Sequence, residues 1–184
     1  PTGTTTYTVN VSNGSCSVDS FITINVNPSP TVAITPSSTA ICLGNSLTLN
    51  ATAGGVSYLW STNATTQNIS DTPASAGAMT YSVVLTDANG CTGTAIQNIV
   101  VNALPTPTIT PIPSLSICSG NSVTLTAGGG TNYSWSTTST LNPIVITPSS
   151  TTGYTVNVTD AATGCSDTAS VLVNVVATPT VSVS

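Results

Sequence analysis

The side chains best suited to chemistry in this 184-residue chain are five aspartates and five cysteines, and there is no Lys, Arg or His to work beside them. Glu is absent as well, so Asp19, Asp71, Asp87, Asp160 and Asp167 carry the whole net charge of -5. A general acid or base needs a group that titrates at the reacting centre, and a Ser, Thr or Cys nucleophile needs a neighbouring base to activate it. With His, Lys and Glu missing, the hydroxyls and thiols lack their usual activating partner. Two aspartates, Asp87 and Asp160, recur at one place in "LTDANGC" and "VTDAATGC", where an Asp ordinarily caps a turn. No catalytic residue is assigned and an enzyme is not expected.

Metal chemistry is equally poorly served. The cysteines lack the C-x-x-C spacing of a zinc site, and no histidine can complete a tetrahedral set. Calcium wants several oxygen ligands from one loop, whereas "DAATGCSD" sets only Asp160 and Asp167 across a turn. The expectation is no metal and no other cofactor.

The same composition limits the partners. Nucleic-acid affinity comes largely from cations that neutralise phosphates, so no nucleic acid is expected. Attraction to anionic lipid needs a basic patch, and no apolar run approaches the roughly 20 residues of a membrane span, so no membrane insertion is expected in this segment. With 39% AVILMFWYC residues, many of them β-branched, the chain should nevertheless fold. Its surface must then be a neutral coat of Ser, Thr and Asn, without cleavage sites for trypsin-like proteases.

Self-similarity reveals the elements that carry these residues. "ICLGNSLTLNA" at Ile41 to Ala51 returns as "ICSGNSVTLTA" at Ile117 to Ala127, and "YLWST" at Tyr58 returns as "YSWST" at Tyr133. These shifts, 117 − 41 = 76 and 133 − 58 = 75, give a period of about 75 residues. Within a period the pattern alternates over short stretches broken by Gly, Asn, Asp, Ser and Pro, and no helical period appears. Leu47, Leu49 and Ala51 share one face of a strand, as do Tyr81, Val83 and Leu85, and Ile99 and Val101. The predicted fold is all-β: tandem immunoglobulin-like β-sandwich repeats stacked end to end.

By sandwich lettering, VAITP and STAIC supply strands A and A′, SLTLNA supplies B, SYLWST supplies C, YSVVLTD supplies F and TAIQNIVV supplies G. Residues 31–104 and 105–178 each read as a complete repeat. Residues 1–30 supply only F and G, and 179–184 read as the first strand of a following repeat. The chain therefore reads as a window on a longer array, or else as a broken sandwich that a neighbouring copy completes by strand donation.

The run C-x-G-x-S-[LV]-T-L, Y-x-W-S-T, Y-x-V-x-[LV]-T-D, G-C and a Val-rich strand ending in Pro resembles the tandem immunoglobulin-like or PKD-like repeats of Bacteroidota surface and secreted proteins. Gliding-type adhesins exported by type IX secretion are among them. The resemblance covers the whole chain. Ser-Thr follows each Trp in place of the charged pair of typical PKD domains, which favours the immunoglobulin-like side. The resemblance implies an extracellular array of near-identical domains. "DTA" at Asp167 to Ala169 looks like the short Asp-Ser/Thr-aliphatic acceptor of Bacteroidota O-glycosylation, which marks Thr168.

Within a sandwich of this topology the cysteines fall into two classes. Cys42 and Cys118 precede the turn into strand B, while Cys16, Cys91 and Cys165 follow the F to G turn. Pairing inside a repeat, Cys42 with Cys91 and Cys118 with Cys165, would close loops of about 50 residues. Against it, those turns sit at opposite poles, roughly 25 to 35 Å apart for such strands, and a disulfide needs Cα atoms within about 7 Å. Stacked repeats would instead bring Cys42 to Cys165, leaving Cys91 and Cys118 to pair outside the chain, and Cys16 likewise. The inter-repeat pair is favoured, and intra-repeat pairs and free thiols remain as alternatives.

The aromatic residues recur by repeat, which assigns Trp60 and Trp135 on strand C to the core, with Tyr7, Tyr81 and Tyr154 on strand F. Tyr58 and Tyr133 are the least secured of the ring residues. The expected function is a structural segment of a long extracellular stalk or filament, at the cell surface or secreted, presenting other modules at a distance. Its partners would be neighbouring repeats of the same or identical chains. Two alternatives are adhesin repeats that bind a surface glycan directly and a spacer in a secreted polysaccharide-degrading enzyme.

Overall fold

A computed structural model describes residues 1–180. Every regular element in them is a β-strand, and no helix is long and apolar enough to cross a membrane. The expected strand at 179–184 lies almost entirely outside the described residues; Pro179 and Thr180 are not in a strand. The chain packs as two compact units. One comprises residues 1–39, 46–72 and 78–99; the other comprises, of the described residues, 40–45, 73–77 and those from 100 on.

The first two strands, β1 (Thr5–Ser12) and β2 (Ser17–Ile24), form a two-stranded antiparallel hairpin in which Tyr7 pairs with Ile22 and Val11 with Val18. Residues 31–104 then supply β3 (Ile34–Pro36), β4 (Ala40–Cys42), β5 (Leu47–Ala51), β6 (Ser57–Trp60), β7 (Asn68–Asp71), β8 (Gly77–Thr86) and β9 (Thr92–Asn102). They form two sheets, β3-β5-β7 and β4-β9-β8-β6. In sandwich lettering these are A-B-E and A′-G-F-C.

Residues 105–178 repeat the arrangement with β10 (Thr108–Ile112), β11 (Ser116–Cys118), β12 (Val123–Gly128), β13 (Asn132–Trp135), β14 (Ile144–Ile146), β15 (Thr152–Thr159) and β16 (Ser166–Val176). Their sheets are β10-β12-β14 and β11-β16-β15-β13. One pairing in each repeat is parallel: β4 on β9, with Ile41 opposite Val101, and β11 on β16, with Ile117 opposite Val175. The A strand pairs with B in one sheet and its continuation A′ crosses to the other.

Alternation explains the core, since successive side chains of a strand point to opposite faces. Leu47, Leu49 and Ala51 are buried, as are Tyr81, Val83 and Leu85, Ile99 and Val101. Trp60 and Ile69 complete the set. The corresponding cluster of 105–178 comprises Val123, Leu125, Ala127, Trp135, Ile144, Tyr154, Val156, Val158 and Val173, together with Ile117. No polar or charged residue is buried among the described residues. Gly129, at φ +96°, is where sterics demand glycine, because a Cβ there would run into the Thr106 carbonyl.

The hairpin departs from expectation. Tyr7, read from the sequence as a core residue, is 51% exposed, whereas Tyr81 and Tyr154 are 2% and 8% exposed. The physical reason is that, among the described residues, no second sheet lies across β1 and β2, so that the side chains alternate without one face being covered.

Candidate functional site

Each F to G turn that carries a cysteine opens on an Asn or Asp whose side chain accepts from within the turn. In residues 13–16, Asn13 Oδ1 accepts from the Ser15 and Cys16 amides at 3.2 and 2.9 Å, and the Asn13 amide donates to the Cys16 carbonyl at 3.0 Å. At 87–91, Asp87 Oδ1 accepts from the Asn89 and Cys91 amides, both at 2.9 Å. At 160–165, Asp160 Oδ1 accepts from the Ala162 amide at 3.0 Å and its Oδ2 accepts from the Thr163 hydroxyl at 3.1 Å. The three turns differ in length, yet a short Asn or Asp side chain closes each one onto its own backbone. Both oxygens of Asp160 are occupied in this way, and Asp167 Oδ1 accepts from the Thr168 amide at 2.7 Å. The described residues contain no cluster of three metal-ligating Cys or Asp side chains.

The other cysteine class sits at the end of the parallel strand. Cys42 ends β4, the next amide, Leu43, donates to the Asn102 carbonyl at 2.8 Å, and the Asn45 amide closes the turn onto the Cys42 carbonyl at 3.0 Å. Cys118 ends β11 identically, with Ser119 donating to Val176 at 2.9 Å and Asn121 to Cys118 at 3.0 Å. Gly44 and Gly120 hold φ of +85° and +86° in these turns.

Cys42 and Cys165 are joined in a disulfide with a Cα–Cα distance of 5.6 Å across a sequence separation of 123. Segment 40–45 and Cys165 belong to the same compact unit, and Cys165 is 1% exposed. The intra-repeat pairs Cys42–Cys91 and Cys118–Cys165 are not formed, because Cys42 and Cys165 have taken each other. Cys16, Cys91 and Cys118 are free thiols. Cys16 and Cys118 are exposed, and Cys91 is half-buried with its Sγ 3.8 Å from the Asn27 carbonyl.

The ring residues of the complete repeats face inward. Trp60 Nε1 donates to the Thr66 carbonyl at 2.8 Å and Trp135 Nε1 to the Leu141 carbonyl at 3.1 Å. Half-buried Tyr58 and Tyr133 donate to the Thr52 and Gly130 carbonyls at 3.2 and 2.6 Å. Tyr81 donates to Asp71 Oδ2 at 2.6 Å; burial, the hydrogen bond and the adjacent negative charge together push its hydroxyl pKa up from 10.0 to about 12. Sequence reasoning missed this pair, because Asp71 lies on strand E, whose single large apolar residue, Ile69, gave little periodic signal. Thr168 is exposed on β16, opposite Asn157 of β15.

No protein-family model matches the chain, and no curated protein does either. Solved structures with a similar course include fibronectin(III)-like modules of CbhA from Clostridium thermocellum, at 13% identity and TM-score 0.39 over 79% of this chain and 95% of that one. Murine CEACAM1b is similar at 14% identity and TM-score 0.37 over 80% of this chain and 100% of that one. A Ca2+-stabilized adhesin with which an Antarctic bacterium binds ice is similar at 17% identity and TM-score 0.44, over 95% of this chain and 57% of that one.

Proposed function

We propose that the chain is a spacing segment of a long extracellular stalk or filament, in which β-sandwich repeats are stapled one to another to present some other module at a distance. The observation that carries this reading is the Cys42–Cys165 disulfide, which ties a cysteine of residues 31–104 to one of residues 105–178. A bond of that kind joins one repeat covalently to the other, and it belongs to an oxidising compartment. The proline-rich junctions "NPSPT" and "NALPTPT" favour a stiff connection over a flexible tether. The neutral Ser/Thr/Asn coat gives neighbouring repeats of the same or identical chains little mutual repulsion.

A glycan-binding role for the complete repeats would call for an exposed aromatic platform. Their tryptophans are buried, and Tyr58 and Tyr133 are half-buried and spent on their own backbone. The spacing role is tested by small-angle scattering of the full chain, oxidised and as Cys42→Ser. The oxidised chain should show a narrow distribution of long interatomic distances that broadens in the variant. Indistinguishable distributions would refute a stiffening staple.

A further inference from the structure

Asn is followed by Gly at two places in the chain, Asn13–Gly14 and Asn89–Gly90, and both fall in F to G turns. In such a pair the glycine has no Cβ to crowd its amide nitrogen and its backbone turns freely, so that nitrogen can reach the carbonyl carbon of the Asn side chain. The two turns use their Asn differently. Asn13 is itself the cap, with Oδ1 accepting from the Ser15 and Cys16 amides. In the second turn Asp87 is the cap and Asn89 stands at the tip, where its exposed side chain has no hydrogen-bond partner among the described residues. Gly90 holds φ of +79°, and nothing lies within 4 Å of where a Cβ would stand on it.

What restrains the tip is one residue. The Gly90 amide donates to the Asp87 carbonyl at 3.0 Å, and Asp87 Oδ1 accepts from the Asn89 and Cys91 amides at 2.9 Å. To bring the Gly90 nitrogen onto Asn89 Cγ, the peptide between them must rotate toward the side chain, which loosens these bonds. Asp87 therefore sets how often the tip is open, and an exposed turn opens at little cost. The turn at 160–165 repeats the Asp cap and a glycine at φ +74°, Gly164, but the residue before that glycine is Thr163, which has no amide to lose.

We propose that Asn89 is a self-modifying site, converting with age in the folded chain to aspartate and isoaspartate at a rate governed by Asp87. The Gly90 nitrogen, giving up its proton, bonds to Asn89 Cγ as the Cγ–Nδ2 bond breaks, and the side-chain nitrogen leaves as ammonia with that proton. Water then opens the resulting succinimide. Cleavage between Cγ and the ring nitrogen restores the ordinary backbone with a carboxylate, whereas cleavage at the main-chain carbonyl leaves Gly90 attached through the side chain as isoaspartate. Water is the sole co-reactant and nothing is oxidised or reduced. Each conversion adds one negative charge beside Asp87 in a chain of formal net charge -5, so residues 31–104 acquire with time a charged tip that residues 105–178 do not gain at the matching place. The chemistry depends on the turn alone and not on the spacing role.

The test incubates the full chain at mildly alkaline pH in water enriched in heavy oxygen. Peptide mapping by mass spectrometry follows each Asn, and enzymatic carboxyl methylation reads isoaspartate. Residue 89 should take up heavy oxygen and yield both acid forms, about tenfold more slowly than in the denatured, reduced chain, which is the modest protection of an exposed turn. Asp87→Ala should close most of that gap. Asp87→Asn, which keeps an acceptor as Asn13 does in the first turn, should stay within about threefold of the original rate. Asn13, whose carbonyl must first release two amides, should convert more slowly than Asn89. Trp60 fluorescence verifies that each variant is folded. Absence of heavy oxygen at residue 89 in the folded chain once the denatured chain has converted fully would overturn the proposal. So would an unchanged rate in Asp87→Ala, or conversion at Asn13 ahead of Asn89.

Discussion

Replacing Cys42 with Ser removes a cross-link whose worth can be worked from the chain itself. In the loop-entropy description, closing n residues removes about 2.1 + 1.5R ln n cal/mol/K from the unfolded ensemble. With the observed separation of 123, that gives ~5 kcal/mol at 25 °C. If residues 105–178 unfold while 31–104 stay folded, only about 60 residues up to Cys165 are released, and the term falls just to ~4 kcal/mol because its dependence is logarithmic. Each complete repeat carries one tryptophan, Trp60 or Trp135, both buried. Trp60→Phe therefore makes fluorescence report on 105–178 alone, and denaturant titration of this chain with and without Cys42→Ser reads the loss directly. The slope of the transition should also steepen, because a chain free of its cross-link exposes more surface on unfolding. Reductant added to the Trp60→Phe chain should reproduce the variant, and Cys118→Ser, at an exposed free thiol, should change nothing. A loss below about 1 kcal/mol, or an equal loss from Cys118→Ser, would refute the reasoning.

Tyr81 sets an alkaline limit. Its pKa is raised from 10.0 to about 12, so the folded state holds the phenolic proton more tightly than the unfolded chain does. The resulting stability is complete below pH 10 and is lost as pH rises from 10 to about 12, to the extent of ~3 kcal/mol. Urea titrations across that window should show the decline, and Asp71→Asn should shift the tyrosinate absorbance step of Tyr81 to lower pH. Gly129→Ala should cost on the order of 2–4 kcal/mol, combining a left-handed backbone with a close carbonyl, measured by thermal denaturation against Gly54→Ala, which has a similar φ of +96° but open space at its Cβ. Alkylation of the denatured, unreduced chain should label the three thiols of Cys16, Cys91 and Cys118, and reduction should raise the count to all five cysteines.

Much of the sandwich was legible because strands B, F and G write their burial as strict alternation: Leu47, Leu49, Ala51 and Tyr81, Val83, Leu85 are all buried. Strand E was not legible. β7 reads "NISD" and β14 reads "IVI", each too short to show a period, and both are fixed by pairing with strand B rather than by their own pattern. The crossing of A′ to the second sheet leaves no trace in "AIC" or "SIC", because a parallel pairing with a strand some 60 residues later is a tertiary choice. Tyr7 shows the opposite failure: its local sequence, "YTVNV", matches Tyr154 to Val158 letter for letter, yet burial depends on what lies across the sheet. The two cysteine classes were legible from their place beside turns. The Tyr81–Asp71 contact was not, because Asp71 has no carboxylate counterpart at the same place in residues 105–178, where Ile146 takes the pairing position.

The parallel strand also has a mechanical meaning. Once the Cys42–Cys165 bond is opened, load entering a repeat from its N-terminal side reaches the start of β4 or β11, and load leaving toward the next repeat departs from the end of β9 or β16. Antiparallel neighbours pulled from adjacent ends would peel apart one bond at a time. Parallel neighbours pulled from opposite ends must slide, so the three paired positions from Ala40 to Cys42, or from Ser116 to Cys118, take up tension simultaneously. We expect single-molecule extension of Cys42→Ser, in which load passes through both repeats instead of across the Cys42–Cys165 bond, to show a force peak for each complete repeat, lowered by adding Ile117→Pro in the second; equal peaks in that variant would exclude the clamp. A strand of three residues would thus set how hard a chain freed of its cross-link can be pulled before it lengthens.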